Sequence, residues 1–99
     1  MNIELVRNDN ELIIKLDGEL NSDTASSFEH TISTSLKDVK ILKLDFEKLS
    51  YLSSAGLRII LVAQKIMNEQ GEMIIQNVNK KIMDIFEMTG FINILHFEN

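Results

Sequence analysis

Residues 44–65 read LDFEKLSYLSSAGLRIILVAQK and pass from strand-like to helix-like patterning within a few positions. Ser53 and Ser54 place two hydroxyls at the start of the predicted helix, and the small residues Ala55 and Gly56 follow them. Small side chains leave the backbone open to approach from outside. The free N–H groups of the first turn and the positive end of the helix dipole favour an anion at this point.

The segments on either side of these serines are predicted to lie in the core. Residues 41–46 are rich in β-favouring types, and their even-numbered members share one apolar face, which is typical of an inner strand. The helix is predicted from about Ala55 to Gln70, with Gly71 as the residue that ends it. Residues 59–63 are apolar nearly all round, so the middle of this helix should be largely buried.

The amino-terminal segments predict a β-hairpin. Ile3 and Leu5 alternate with polar residues, Leu12, Ile14 and Leu16 recur at every second position, and the turn-forming run Asn8-Asp9-Asn10 lies between the two segments. Gly18 is expected to close the second strand.

Two further helices are predicted from capping residues and apolar spacing. Asn21-Ser22-Asp23 supplies cap oxygens to a helix over Ser22–Leu36, and Asn79 can cap another that runs to Met88. The residues expected to face the core from this last helix are Val78, Ile82, Ile85, Phe86 and Thr89. Met73, Met83 and Met88 lie among apolar residues and are also expected to pack in the core.

Residues 73–75 and 94–97 predict two more short strands, so the order of elements is β-β-α-β-α-β-α-β. Strand–helix–strand units imply parallel pairing, whereas the opening hairpin is antiparallel. We therefore expect a single α/β domain over residues 1–99. It should contain a mixed sheet of four to five strands packed with about three to four helices.

The composition excludes several classes of function. The 99 residues are 44% hydrophobic and 25% charged, a balance that predicts a folded domain rather than a disordered chain. A net charge of −5 repels phosphate backbones, so we expect no nucleic-acid partner. Cysteine is absent and the two histidines, His30 and His96, are isolated, so neither a disulfide nor a metal site nor any other cofactor is predicted. Because no signal peptide or membrane span is visible, a cytoplasmic location is expected.

The serine-containing stretch resembles the signature of STAS domains of the bacterial anti-sigma factor antagonist type. That signature is a strand, then approximately Asp-Ser-Ser-Gly-Leu, then a helix. Ser53 stands in place of the family's aspartate, Ser54 matches the serine that a partner kinase phosphorylates, and Ala55 replaces the second serine. Gly56 and Leu57 keep the family pattern.

Two other segments extend the resemblance over nearly the whole chain. Residues 16–21, LDGELN, resemble the family's Gly-Glu-Leu-Asp turn, with Asn21 in place of the aspartate. Residues 85–91, IFEMTGF, resemble its Leu-x-x-Thr-Gly-hydrophobic ending. Three matches in the right order, on the right elements, are far more specific than any one of them.

The resemblance implies a protein–protein switch that regulates transcription. The unphosphorylated domain, a monomer or weak dimer, would bind an anti-sigma factor that is also a serine kinase, and this would free the sigma factor. The kinase would then phosphorylate Ser54 with ATP and so release the domain. A metal-dependent serine phosphatase would reset it.

The resemblance also suggests which residues contact the partner. The expected set is Asn21, Ser53, Ser54, Ala55, Gly56 and Arg58. Arg58 lies one turn beyond Ser54 and would contact a partner carboxylate or a phosphate, or else be an ordinary solvated side chain. Ser54 alternatively serves only as the helix cap.

Two other functions stay open at this level. A STAS subunit of a lipid or anion transporter complex would dock permanently without phosphorylation, and the departures at Ser53 and Ala55 are compatible with it. A small-molecule sensor or hydrolase would need convergent polar groups that the sequence does not display. Ser54 also lacks the Gly-x-Ser-x-Gly elbow of serine hydrolases, so no catalytic residue is predicted.

The purified chain alone should hydrolyse neither ATP nor common esters, because no nucleophile–base pair is recognisable in it. Phosphate release and chromogenic ester cleavage measure this directly. Turnover that vanishes in Ser54→Ala would overturn the assignment as a non-enzyme.

Overall fold

A computed structural model describes residues 1–98 as a mixed five-stranded sheet with three α-helices, which confirms the predicted α/β class. The strands are β1 (Asn2–Asn8), β2 (Glu11–Leu20), β3 (Ile41–Leu52), β4 (Glu72–Gln76) and β5 (Phe97–Glu98). The helices are α1 (Ala25–Ser35), α2 (Ser54–Gln70) and α3 (Lys80–Thr89), and a short 3-10 turn spans Phe91–Asn93.

The sheet places its strands in sequence order, β1 to β5. β1 pairs with β2 antiparallel, and every later pairing is parallel. The register aligns Ile14 with Leu44 and Leu44 with Ile75, so a row of fully buried aliphatic side chains crosses the sheet. Alternate residues such as Ile13 and Lys43 point to the opposite face and are only partly buried. The apolar stripes of the helices therefore cover one face of the sheet.

Two strands continue well past their predicted ends. β2 runs through Gly18 to Leu20, and β3 runs through Phe46 to Leu52, so the prediction that Gly18 closes its strand is wrong. The pairing between these strands shifts register twice along this extension. Such irregularities break the two-residue alternation that marks a strand in sequence, and beyond Phe46 burial recurs only at Leu49 and the strand end.

α3 packs through one narrow apolar face. Phe86 is fully buried, with its ring centroid 6.4 Å from that of Phe46 and 5.2 Å from that of Phe97. Thr89 and Met88 were predicted to face the core but are exposed, Met88 by 83%. The hydroxyl of Thr89 instead donates to the carbonyl of an earlier turn of its own helix.

The last strand is shorter than predicted and begins later. Gly90 ends α3 with a φ of 80°, a left-handed conformation that glycine adopts without strain. The chain then tightens into the 3-10 turn and buries Leu95, so only Phe97–Glu98 pair with β4 instead of the predicted 94–97.

The end of α2 holds the connection between α1 and β3 in place. The side-chain amide of Gln70 donates to the carbonyl oxygens of Leu36 at 2.6 Å and Val39 at 2.7 Å. Gly71 follows in an extended conformation, and an added Cβ there would lie 1.9 Å from the carbonyl oxygen of Lys40. The close approach of two backbones, rather than an unusual φ, therefore requires glycine at this position.

Replacing Gln70 with alanine should lower the free energy of unfolding by about 1–3 kcal/mol, because two partly buried carbonyls lose their donor. Gln76→Ala is the matched control, since its amide donates to the exposed carboxylate of Glu98 rather than to partly buried carbonyls. That variant should stay within about 0.5 kcal/mol of the wild type. Urea unfolding compares the two, and equal losses would contradict the role assigned to Gln70.

Candidate functional site

The predicted site residues meet at the carboxyl edge of the parallel strands. The backbone N–H of Ser53, just after β3, donates to the carbonyl oxygen of Leu20 at the end of β2, at 2.9 Å. Asn21 therefore lies beside the start of α2, although 32 positions separate it from Ser53 in the sequence. The carboxyl ends of parallel strands are a common location for functional sites in α/β folds.

The two serines at this edge have different structural roles. Ser53 is extended and caps α2, because its Oγ accepts from the backbone N–H of Gly56 at 3.4 Å. Ser54 is the first helical residue and is exposed, and within residues 1–98 no hydrogen bond engages its hydroxyl. The alternative in which Ser54 is the cap is therefore wrong. Capping falls to Ser53, and the Ser54 hydroxyl faces solvent.

Gly56 sets how closely α2 approaches the sheet. A Cβ at this position would lie 2.6 Å from Cγ of Leu20 and 2.8 Å from Cδ1 of Leu52, and both leucines are buried in the core. Both distances are shorter than real Cβ contacts, so a side chain at Gly56 would force either the packed leucines or the first turn of the helix to shift. The absence of a side chain at Gly56 thus allows the first turn of α2, including Ser54, to lie close to the ends of β2 and β3.

Asn21 shapes the connection between β2 and α1. Its Oδ1 accepts the backbone N–H groups of Asp23 at 2.9 Å and Thr24 at 3.1 Å, forming a turn before the helix begins. The Thr24 hydroxyl donates to the carbonyl of Glu19 at 2.8 Å. Helix α1 starts only at Ala25, with Thr24 as an N-cap whose side chain makes no cap bond, so the start predicted at Ser22 is wrong. The expected cap oxygens are used by the turn instead.

Arg58 lies one turn along α2 from Ser54, on the exposed side of the helix. Its Nη1 lies 3.7 Å from Oε2 of Glu29 on α1, and the two side chains are 62% and 48% exposed. Ion pairs in such exposed positions contribute roughly 0–1 kcal/mol. Glu29 belongs to no sequence motif, and the packing of α1 beside α2 brings it near Arg58.

The connection between β4 and α3 forms the other side of this edge. Asn79 caps α3 as predicted, accepting from the N–H of Ile82 at 2.9 Å, and its amide donates to the carbonyl of Leu49 at 3.1 Å. Asn77 has a φ of 60° and donates to the carboxylate of Asp45 at 3.0 Å. Both bonds attach the connection to β3.

The surface around Ser54 favours contact with a protein over enclosure of a small molecule. A cleft of about 360 Å³ lies beside the edge and is lined by Asn21 and Thr24, but Ser54 is not part of its lining. Ala55 is partly buried and packs against the core, which leaves the Ser54 hydroxyl and the Arg58 side chain as the exposed polar groups of the first turns.

Across residues 1–98, no cluster of three histidine or acidic side chains could hold a metal. Within the same residues, no helix has the length and apolar character to span a bilayer.

The chain belongs to the STAS domain family, whose sequence model matches residues 2–99. It is 33% identical over 101 residues to BtrV of Bordetella bronchiseptica, named as a candidate anti-sigma factor antagonist, covering 100% of this chain and 87% of BtrV. It is 29% identical to the anti-sigma-B factor antagonist of Staphylococcus aureus, covering 97% and 91%. The fold matches the unphosphorylated anti-sigma factor antagonist SpoIIAA with a TM-score of 0.78 at 20% identity, covering 99% and 88%.

The two serines should differ in their effect on stability. Ser53→Ala removes the cap and should cost about 1 kcal/mol of unfolding free energy. Ser54→Ala removes an exposed hydroxyl with no cap bond and should change stability by less than about 0.5 kcal/mol. Thermal or urea unfolding of both variants checks this, and a larger loss at Ser54 would mean that the cap lies one residue later.

Proposed function

We propose that this chain is an anti-sigma factor antagonist that acts as a protein-binding switch in the cytoplasm, with Ser54 as its phosphorylation site. The observation that carries the proposal is the exposed hydroxyl of Ser54 at the first position of α2, while Ser53 carries the capping role. A hydroxyl that a kinase modifies must be reachable and replaceable without loss of the fold, and Ser54 meets both conditions.

In the unmodified state, the first turns of α2 and the adjoining turn would dock an anti-sigma factor that is itself a serine kinase. Ser53, Ser54, Ala55 and Arg58 lie on this surface, and Asn21 holds the neighbouring turn in shape. Gly56 is buried, so it would contribute by seating the helix rather than by touching the partner. The names of the relatives support the anti-sigma factor as the partner.

Phosphorylation would require only a hydroxyl from this chain. The Ser54 Oγ attacks the γ-phosphorus of ATP bound to the kinase, the bond from that phosphorus to the bridging oxygen breaks, and ADP leaves. The hydroxyl proton passes to a base on the kinase. Because Ser53 replaces the acidic residue of the family pattern, the first turn of α2 adds no carboxylate of its own beside the phosphate.

The phosphate would disrupt the interface and leave the domain intact. It brings close to two negative charges, which the amino-terminal end of α2 tolerates. The partner, in contrast, would meet charge where it had buried a neutral hydroxyl. A loss of ~3 kcal/mol from the interface weakens binding on the order of a hundredfold. A serine phosphatase would hydrolyse the phosphoserine and restore binding.

Charge at position 54 should control affinity for the kinase. Ser54→Ala should bind like the wild type, whereas Ser54→Asp should stay folded but bind at least about tenfold more weakly, equivalent to ~1.4 kcal/mol. Ser33→Asp is the matched control, because it adds the same charge to an exposed position near the far end of α1. Calorimetric titration against the anti-sigma kinase measures all four proteins.

Equal affinities for all variants would place Ser54 outside the interface and would favour a permanently docked transporter subunit instead. The intact mass of the protein from its native cells, before and after phosphatase treatment, tests the modification independently. A mass that never includes a phosphoryl group under conditions that inactivate the sigma factor would contradict the switch.

A further inference from the structure

We propose that phosphorylation of Ser54 transfers Arg58 from Glu29 to the phosphate, so that one modification changes the charge on both α2 and α1. This inference rests on the proposed function, since it concerns the phosphorylated state of Ser54. It goes further by assigning a role to Glu29 and by making Arg58 a part of the switch rather than a passive contact.

Arg58 is placed to reach a group on Ser54. The two residues are four apart on α2 and both are exposed, so their side chains lie on the same face of the helix. From Ser54 through the first two turns of α2, Arg58 is the only basic residue, and the next one on the helix is Lys65. The other charged side chains where β2 joins α1, Glu19 and Asp23, are acidic. Arg58 is thus the cation that α2 itself offers to a phosphate at its start.

The present partner of Arg58 holds it only weakly. A single Nη1–Oε2 approach of 3.7 Å joins it to Glu29, and both side chains are about half exposed or more. A carboxylate carries one negative charge, whereas a phosphoserine carries between one and a half and two and can accept two guanidinium N–H groups at once. The phosphate would also be anchored to the same helix as Arg58. Both the charge and the geometry therefore favour the exchange.

The exchange would change a larger surface than the phosphate covers. Before modification, Arg58 and Glu29 offset each other's charge where α1 and α2 meet. Afterwards, Arg58 lies against the phosphate and Glu29 is left as an uncompensated carboxylate on α1. A partner that docks across both helices would then meet anions on each of them.

The first test uses protein with phosphoserine encoded at position 54, so that no kinase is needed. Phosphorus NMR follows the second ionisation of the phosphate, whose unperturbed pKa is about 6. A neighbouring cation favours the dianion, so Arg58→Ala should raise this pKa by about half a unit, the size expected for an exposed charge pair. Lys65→Ala, the loss of a basic residue farther along α2, is the matched control and should leave it unchanged. An unchanged pKa in Arg58→Ala would overturn the proposal.

The second test follows the Nε–H signal of Arg58 itself by nitrogen NMR. Glu29→Gln should shift this signal in the unmodified protein, where the pair exists, and should have little effect in the phosphorylated protein. Equal shifts in both forms would show that Arg58 stays on Glu29 and would overturn the exchange. Because the phosphoserine is encoded, these results are independent of whether a cellular kinase acts on Ser54. Failure of the exchange is therefore distinguishable from failure of the proposed switch.

Discussion

The contact of Gly56 with Leu20 and Leu52 is the constraint on which the site depends. Without a side chain at Gly56, the first turn of α2 rests directly on the ends of β2 and β3. That seating brings the N–H of Ser53 onto the carbonyl of Leu20 and presents Ser54 at the surface. Gly56, buried in the first turn of α2, thus determines where the Ser54 side chain lies.

The two adjacent serines have separate roles, because Ser53 caps α2 and the hydroxyl of Ser54 stays exposed. Ser53 satisfies one of the N–H groups that every helix start leaves without a partner, and this use of its hydroxyl is local and fixed. Ser54 is therefore not needed for the helix to begin. A group added to Ser54 changes the surface but leaves the cap in place, which is the physical requirement for a reversible switch on a marginally stable domain.

α1 and α2 are connected at both ends, and the two connections differ in strength. At the far end, the partly buried amide of Gln70 binds two carbonyls of the segment that follows α1. Nearer the site, the exposed pair of Arg58 and Glu29 links the two helices through a single approach of 3.7 Å. Under the proposed exchange, the exposed ion pair would break while the partly buried bonds of Gln70 stay in place, so the charge change at the site would leave the core undisturbed.

The sequence by itself determined the class of fold, the order of elements and the helix that begins at the serines, because these follow from local periodicity and capping chemistry. It also predicted that Ser54 and Arg58 belong to the partner-binding surface, since the serine motif and the four-residue spacing on α2 are both local. It could not show that β2 and β3 extend past Gly18 and Phe46, because shifts in register hide the alternation. The seating of Gly56 against Leu20 and Leu52 and the pairing of Arg58 with Glu29 were decided only by the tertiary structure. Each of these depends on which parts of the chain meet across the sheet edge, and contacts between segments distant in sequence leave no periodic signal.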